Sequence, residues 1–235
     1  MGPYQECTNC IAIKWCKKYT GEIEVKPYPD WCSAHFRLNK AIELSNIPKR
    51  YHRANLHECR VDDDNREAIE KLKPYFNNIV PTFDGGKNFL IFGEKPGTGK
   101  TYLATTLLNQ YIYKTCLTNK FDFENPLAYS VNYSDLMDLL RYQHSEEETE
   151  QLMKKVMNTP VLLLDDIASG TSSNFTVEQT YLIMNHRFNN NLSTVATTNI
   201  TLKNLGGLFG ARSMSRLLAN CEIVKLEHGK DRRFI

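Results

Sequence analysis

Residues 92–101, FGEKPGTGKT, combine the residue types that bind a phosphate group. Gly97 and Gly99 let the backbone approach phosphate oxygens closely, Lys100 supplies a positive charge, and Thr101 supplies a hydroxyl group for Mg²⁺. The start of a helix directly after such a loop adds backbone N–H groups that point at the anion. The segment therefore predicts a site for the phosphates of ATP or ADP.

The segment departs from the usual signature G-x-x-x-x-G-K-[ST] at its first position. Glu94 stands where a glycine is expected, and Gly93 comes one residue earlier. The first glycine serves the entry to the turn, so Gly93 can relieve the backbone there. We interpret the loop as functional, because an apolar strand-like run precedes it and a helical stripe follows it. The predicted nucleotide-binding residues are Gly93, Pro96, Gly97, Thr98, Gly99, Lys100, Thr101 and Asp165.

Two adjacent carboxylates follow another apolar run in VLLLDDI, residues 161–167. A carboxylate at the end of a second strand is the usual partner of a phosphate-binding loop, where it holds Mg²⁺. Asp165 is predicted to be that carboxylate, and Asp166 is predicted to polarise the attacking water. The alternative is an aspartate pair that only stabilises a turn after a buried strand.

Four of the seven cysteines lie in the first 32 residues. The tight pair Cys7-x2-Cys10 and its more distant partners have the spacing of a tetrahedral zinc site. We favour Cys7, Cys10, Cys16 and Cys32 as ligands, with His35 as the alternative fourth ligand. An iron–sulfur cluster is a second possibility, and unliganded reduced cysteines are a third.

Short apolar runs alternate with helical patterns from residue 87 onward, which predicts a parallel sheet with crossover helices. The predicted strands are residues 89–92, 128–131, 161–164, 194–197 and 223–226. A helix is predicted over residues 65–72. The capping-box pattern Thr176-Val-Glu-Gln179 predicts another helix that reaches about Asn189.

The signals divide the chain into three parts. Residues 1–45 form a Cys-rich metal-binding module with turns and short strands, residues 46–84 form a polar, proline-containing connector, and residues 85–235 form one α/β domain.

Composition favours a soluble cytoplasmic protein. Hydrophobic residues make up 41% of the 235 residues, enough for a core. No apolar run approaches the roughly 18 residues of a membrane span, and the sequence starts without an export signal. The net charge is +2, with both ends more basic than the middle, which permits contact with nucleic acid without requiring it.

Four segments, LIFGEKPGTGKTYLA, LLLDDI, VATTN and ARSMSRL, carry a resemblance to a known family by their order and spacing. Residues 46–235 resemble the AAA+ domain of replicative-helicase loaders of the DnaC/DnaI type, and of the related IstB transposition ATPases. The resemblance implies the sheet order 5-1-4-3-2 and no C-terminal helical lid. Some loaders related to DnaI carry an N-terminal zinc module that binds the helicase, which implies this role for residues 1–45.

The resemblance also assigns roles to three polar residues. Asn199 matches the polar sensor between the two nucleotide motifs, and its position after an apolar run suits a ligand-facing residue or a plain turn. Arg216 matches the arginine that completes a neighbouring subunit's site, and Arg212, one turn earlier, is the second candidate. A structural salt bridge is the alternative for either arginine.

The sequence thus predicts an ATPase that delivers a hexameric replicative DNA helicase onto single-stranded DNA and self-associates through Arg216. Basic and aromatic residues at 49–53 either bind single-stranded DNA or pack within the connector. The alternatives are an IstB-like transposition helper, a P-loop kinase with a zinc lid, and a binding module that has lost turnover.

Overall fold

The computed structural model describes residues 33–142, 145–167, 173–226 and 231–232. Within them, five parallel strands form one sheet in the order β2-β3-β4-β1-β5. This is the order 5-1-4-3-2 read from the other edge, so the predicted fold class is confirmed. The strands lie within two residues of their predicted bounds: β1 Asn88–Phe92, β2 Ala128–Asn132, β3 Val161–Asp165, β4 Ser193–Thr198 and β5 Cys221–Lys225.

Helices connect the strands and cover both faces of the sheet. In the described ranges they are α1 Ser33–Leu44, α2 Arg66–Asn77, α3 Ile79–Asp84, α4 Lys100–Thr115, α5 Tyr133–Tyr142, α6 Glu146–Asn158, α7 Asn174–Asn189, α8 Leu202–Phe209 and α9 Ala211–Leu218. Short 3-10 helices at Lys49–Tyr51 and Leu56–Glu58 precede α2. None of these helices has the length and apolar character needed to cross a membrane.

Alternation along the strands divides the core between the two faces of the sheet. Phe89 and Ile91 of β1 pack with α1 to α4, whereas Leu90 packs with the helices on the other face. The four apolar residues of β3 are fully or almost fully buried, as expected for a central strand covered on both sides. The result is a three-layer α/β domain, a class in which ligands bind at the carboxyl ends of the strands.

The first described residues differ from the predicted Cys-rich module of turns and short strands. Residues 33–44 form α1, and Leu38, Ala41 and Ile42 are buried in the same core as the sheet. The backbone N–H of Ser130 in the edge strand β2 donates to the carbonyl of Ser45 at 2.8 Å. The expectation of strands and turns is therefore wrong for residues 33–44, because Leu38, Ala41 and Ile42 form an apolar stripe at helical spacing that packs on the sheet.

The predicted connector also packs in the core. The predicted helix over residues 65–72 extends to Asn77 as α2, with Pro74 inside it. Ile69, Leu72 and Phe76 are buried at helical spacing and lie in the cluster that covers β1. The proline marked an end of the helix in the sequence, but burial of Phe76 holds the helix together beyond it.

The start of α7 corrects the predicted capping box. Ser173, and not Thr176, is the N-cap, and its side chain accepts a hydrogen bond from the Thr176 N–H. Thr176 lies in the first turn of the helix, and the helix ends at Asn189 as predicted.

Arg187 in α7 is fully buried and forms no ion pair with a carboxylate among the described residues. Its guanidinium donates to the carbonyls of Val156 and Thr159, both at 2.9 Å, and to Thr194 Oγ1 at 3.0 Å. Further donations reach the carbonyls of Met157, Pro160 and Ser193. Burial lowers the pKa of Arg187 to about 9, so the group keeps its charge at neutral pH. One side chain thus joins the end of α6 and α7 to the start of β4.

Replacement of Arg187 tests this role. Arg187→Met leaves several buried carbonyls without a donor, and we expect the free energy of unfolding to fall by about 3 kcal/mol or more. Urea unfolding monitored by circular dichroism measures the loss. Arg66→Met is the matched control, because the side chain of Arg66 is 56% exposed and, among the described residues, forms an ion pair with Asp63 alone. Equal unfolding midpoints for the two variants would contradict the proposed role of Arg187.

Candidate nucleotide-binding site

The phosphate-binding loop, residues 93–100, joins the carboxyl end of β1 to the first turn of α4. Gly97 and Gly99 have φ angles of 73° and 101°, a region that side chains with a Cβ rarely adopt. Lys100 is 7% exposed, and its Nζ donates to the carbonyls of Gly93 and Lys95, both at 2.8 Å. The loop therefore holds the ammonium group at the start of a helix, as phosphate binding requires.

The structure explains why Gly93 precedes the usual position. A Cβ on Gly93 would overlap the backbone carbonyl of Leu226, which follows β5. The N–H of Leu226 also donates to the carbonyl of Phe92 at 2.8 Å, so the two chain segments run side by side there. The glycine is needed for close packing at the end of β1, and Glu94 begins the turn.

Asp165 lies at the end of β3, beside the first turn of α4. Its carboxylate accepts hydrogen bonds from Thr101 Oγ1 at 2.9 Å and from Thr197 Oγ1 at 2.6 Å. The two predicted motifs are thus in direct contact. Thr197 is buried in β4 and was not predicted as a site residue, although it lies two residues before Asn199 at a strand end.

Asp166 has a strained backbone and two partners from β4 or just beyond it. Its φ is 57°, an uncommon value for a residue with a Cβ and one often found at functional sites. The Asp166 N–H donates to Thr197 Oγ1 at 2.8 Å, and Asn199 Nδ2 donates to Asp166 Oδ1 at 2.8 Å. Asn199 therefore lies beside the predicted water-polarising carboxylate.

The residues present fit a nucleotide with Mg²⁺. Positive-φ glycines, a buried lysine and the start of α4 suit the phosphates. The hydroxyl of Thr101 and the carboxylate of Asp165 are hard oxygen ligands, and Mg²⁺ at a phosphate site needs only one or two carboxylates. Pro96 lies in the same loop, and Thr98 Oγ1 is 3.4 Å from Lys100 Nζ.

The two candidate arginines lie on α9. Arg216 is in the last turn, close to the start of β5, and lines a small cavity with Asn88 and Thr194 at the amino ends of β1 and β4. The phosphate-binding loop follows the carboxyl end of β1, whereas Arg216 lies near the amino ends of the strands, on the opposite side of the domain. It cannot serve this chain's own loop.

Neither arginine pairs with a carboxylate in the described ranges. Arg216 Nε donates to Asn185 Oδ1 at 3.2 Å, and its guanidinium carbon lies 4.8 Å from the ring centre of Phe188. Arg212 is exposed and lies 5.6 Å from the ring centre of Tyr181. The structural salt bridge that was the alternative reading is therefore not present within these residues.

The predicted metal ligands Cys7, Cys10, Cys16 and Cys32 lie outside the described residues. Among the described ones, no three His, Cys, Asp or Glu side chains form a group that could hold a metal ion. His35 lies in the first turn of α1, where its Nε2 accepts a hydrogen bond from Asn39 Nδ2 at 2.7 Å. The zinc site stays a prediction.

Comparisons with known proteins agree with this geometry. The family described as IstB-like ATP binding protein matches residues 79–233. The chain is 24% identical over 184 residues to the replicative helicase loader DnaC of Escherichia coli strain K12. The aligned region covers 77% of this chain and 69% of that protein.

Solved structures show the same fold. The crystal structure of the DnaC helicase loader aligns with a TM-score of 0.63 and 28% identity, over 77% of this chain and all of that one. The crystal structure of DnaI aligns with a TM-score of 0.62 and 22% identity, over 77% of this chain and 95% of that one.

Asp166→Asn tests the predicted water-polarising role. Asparagine tolerates the positive φ, so the fold should be kept while the carboxylate is lost. We expect steady-state ATP hydrolysis to fall by about 100-fold or more, with ATP affinity retained. In the matched variant Asp165→Asn, the loss should instead appear in Mg²⁺-dependent ATP binding. Unaltered turnover in Asp166→Asn would exclude Asp166 as the base.

Thr197→Val tests the residue that the sequence did not reveal. Valine keeps the shape but removes the hydroxyl that contacts both Asp165 and the N–H of Asp166. We expect turnover to fall by roughly tenfold or more, as for other residues that orient a metal ligand. Thr197→Ser retains the hydroxyl and should hydrolyse ATP near the wild-type rate. Equal turnover in the valine and serine variants would show that the hydroxyl is dispensable.

Proposed function

We propose that this chain, which belongs to the family of IstB-like ATP-binding proteins, is an ATPase that loads a replicative helicase hexamer onto single-stranded DNA. Support comes from the likeness in sequence and fold to DnaC, which is named a replicative helicase loader. The role implies a cytoplasmic location. Coupling between hydrolysis and loading belongs to the proposal.

The observation that carries the ATPase activity is the contact between the two motifs. Asp165 accepts a hydrogen bond from Thr101 directly beside the phosphate-binding loop, and Asp166 is the next residue. A carboxylate that holds the metal and a carboxylate that acts on water are thereby adjacent at the end of β3. A loop that only bound phosphate would not need the second, strained carboxylate.

Each residue has a defined part in this activity. The glycines and Lys100 bind the phosphates, and Thr101 and Asp165 would hold Mg²⁺. When bound, Mg²⁺ neutralises charge on the phosphates. Asp166 orients the attacking water and accepts its proton at a carboxylate oxygen, while the amide of Asn199 fixes that carboxylate.

Arg216 is proposed to complete the site of a neighbouring copy. It lies at the sheet edge opposite its own loop, and its guanidinium has no carboxylate partner among the described residues. An arginine supplied by a neighbour stabilises the charge that develops on the transferred phosphate. Arg212 is the second candidate, because it lies one turn earlier on the same helix.

We assign residues 1–32 to helicase binding, with zinc held by Cys7, Cys10, Cys16 and Cys32. We restrict the proposed module, predicted over residues 1–45, to residues 1–32, because Leu38, Ala41 and Ile42 of α1 pack in the core of the sheet domain. An iron–sulfur cluster is the alternative, and visible absorption near 400 nm distinguishes it from zinc. The ends of the chain are more basic than the middle, which permits the proposed contact with single-stranded DNA.

An IstB-like transposition helper is the alternative, since the matching family is described as IstB-like ATP binding protein. It shares the ATPase domain and would require a transposase as its partner. A P-loop kinase with a zinc lid gains no support from these comparisons. The paired carboxylates argue against a module that has lost turnover.

Mixing two inactive variants tests the role of Arg216. Arg216→Ala keeps its own phosphate-binding loop, and Lys100→Ala keeps Arg216, so a mixture forms sites that have both residues if Arg216 acts in a neighbour. We expect each variant alone to have little ATPase activity, and the mixture with helicase and single-stranded DNA to regain it. Arg212→Ala in place of Arg216→Ala separates the two candidates. Wild-type turnover by Arg216→Ala alone would exclude the proposed role.

Co-elution with the host's replicative helicase in size-exclusion chromatography, with ATP present, tests the loader function. Removal of residues 1–32 is the paired control, since removal of residues 1–45 would also delete the buried helix α1. We expect a complex that is lost on this truncation. A well-folded, ATP-binding protein that forms no complex with the helicase would favour the transposition helper.

A further inference from the structure

Two residues near the C-terminus, Asp231 and Arg232, lie directly against the phosphate-binding loop. We call them the C-terminal pair. The backbone N–H of Arg232 donates to the carbonyl of Gly97 at 2.9 Å. A Cβ on Gly97 would overlap the carboxylate of Asp231, and one on Gly99 would lie 3.6 Å from the Cδ of Arg232. The pair therefore contacts the two loop glycines that have positive φ.

The side chain of Arg232 is held by a residue far away in the sequence. Its Nη2 donates to Asp62 Oδ1 at 2.6 Å, across 170 residues of chain. Asp62 lies in the turn before α2, and this contact holds the pKa of its carboxyl below the usual value. The side chains are 23% and 40% exposed, so the ion pair is only partly shielded from water. Such a pair is strong enough to position a segment and weak enough to open.

The carboxylate of Asp231 lies directly beside Gly97 of the phosphate-binding loop. It adds negative charge there, and a triphosphate that enters the loop would meet that charge. The Nε of Arg232 is buried and has no hydrogen-bond partner in the described part of the chain. An unsatisfied buried donor is costly, so the resting arrangement is easily exchanged for another.

We propose that the C-terminal pair is an autoinhibitory contact on the phosphate-binding loop, held closed by Asp62 and displaced when a nucleoside triphosphate binds. The inference rests on the proposed nucleotide binding and adds its regulation. Displacement of the pair breaks the ion pair between Arg232 and Asp62. Nucleotide binding at the loop thereby changes the contacts of the segment around Asp62.

The contacts of Asp62 show which part of the chain responds. Asp62 Oδ1 also accepts from the N–H of Asp64 at 3.2 Å, and its carbonyl accepts from the N–H of Arg66 at 3.0 Å, at the start of α2. Loss of the Arg232 contact leaves Asp62 with the hydrogen bonds inside its own turn, and we expect the turn at residues 59–66 to loosen as a result. By linkage, any partner that loosens this turn also favours triphosphate binding.

Asp62→Asn tests the inhibitory contact, with Asp63→Asn as a matched control. Both variants remove one negative charge from the same turn, but the side chain of Asp63 is 99% exposed and, in the part of the chain that the structure describes, pairs with Arg66 alone. The dissociation constant of a fluorescent ATP analogue is measured with the full chain and Mg²⁺. We expect binding to tighten roughly two- to fivefold in Asp62→Asn, the range that a partly exposed ion pair supports, and to stay unchanged in Asp63→Asn. Asp231→Asn should also tighten binding.

Unchanged or weaker binding in both Asp62→Asn and Asp231→Asn would overturn the inhibitory contact. Hydrogen exchange at residues 59–66 gives a second readout, expected to speed up with ATP in the wild type and to be fast without ATP in Asp62→Asn. ATP binding by the wild type without any change in this exchange would overturn the communication to Asp62. Failure of the wild type to bind the analogue would instead refute the proposed ATPase function.

Discussion

The hydrogen bonds to the Asp165 carboxylate connect the parts on which the candidate site depends. Thr101 donates from the first turn of α4, and Thr197 donates from β4. Thr197 also accepts the N–H of Asp166, so one threonine fixes the positions of two adjacent carboxylates. The hydroxyls of Thr101 and Thr197 thus decide the spacing between the phosphate-binding loop and the two carboxylates that we propose hold the metal and act on water.

The two ends of the strands have different roles. The phosphate-binding loop, Asp165, Asp166 and Asn199 lie at the carboxyl ends of the strands. Arg216 lies at the amino ends of the strands, beside the buried Arg187. Arg187 has no carboxylate partner among the described residues, because backbone carbonyls satisfy its donors. This network fixes α7, against which α9 and its arginines pack. The proposed role of Arg216 in a neighbouring copy would need such a rigid support, since a small displacement would remove the arginine from the neighbour's site.

Residues that precede β1 and residues that follow β5 meet beside the phosphate-binding loop. Residues before β1 supply α1, which packs in the core, and Asp62, which holds Arg232. Residues after β5 supply Leu226, which excludes a side chain at position 93, and the C-terminal pair. The loop is therefore enclosed by segments that the sequence places more than a hundred residues apart. Such contacts connect the phosphate-binding loop directly to segments outside the sheet.

The sequence alone determined the strands, the loop and the carboxylate pair, because each depends on a local pattern: an apolar run, a glycine-lysine-threonine motif, or charges at a strand end. The sheet order came from the resemblance to loaders and agrees with the structure. Local patterns gave wrong predictions in two places. The nearby cysteines favoured turns and short strands where α1 forms, and Pro74 favoured an end of α2 that lies before its actual end.

Only the tertiary structure revealed the roles of Thr197, Arg187 and Arg232. A threonine in a strand and an arginine in a helix have no sequence signal for their partners, since those partners lie on other elements. Burial and charge pairing over such distances are properties of the packed chain. The local chemistry of the site was thus readable in the sequence, whereas its support and its regulation depend on which distant segments the fold brings together.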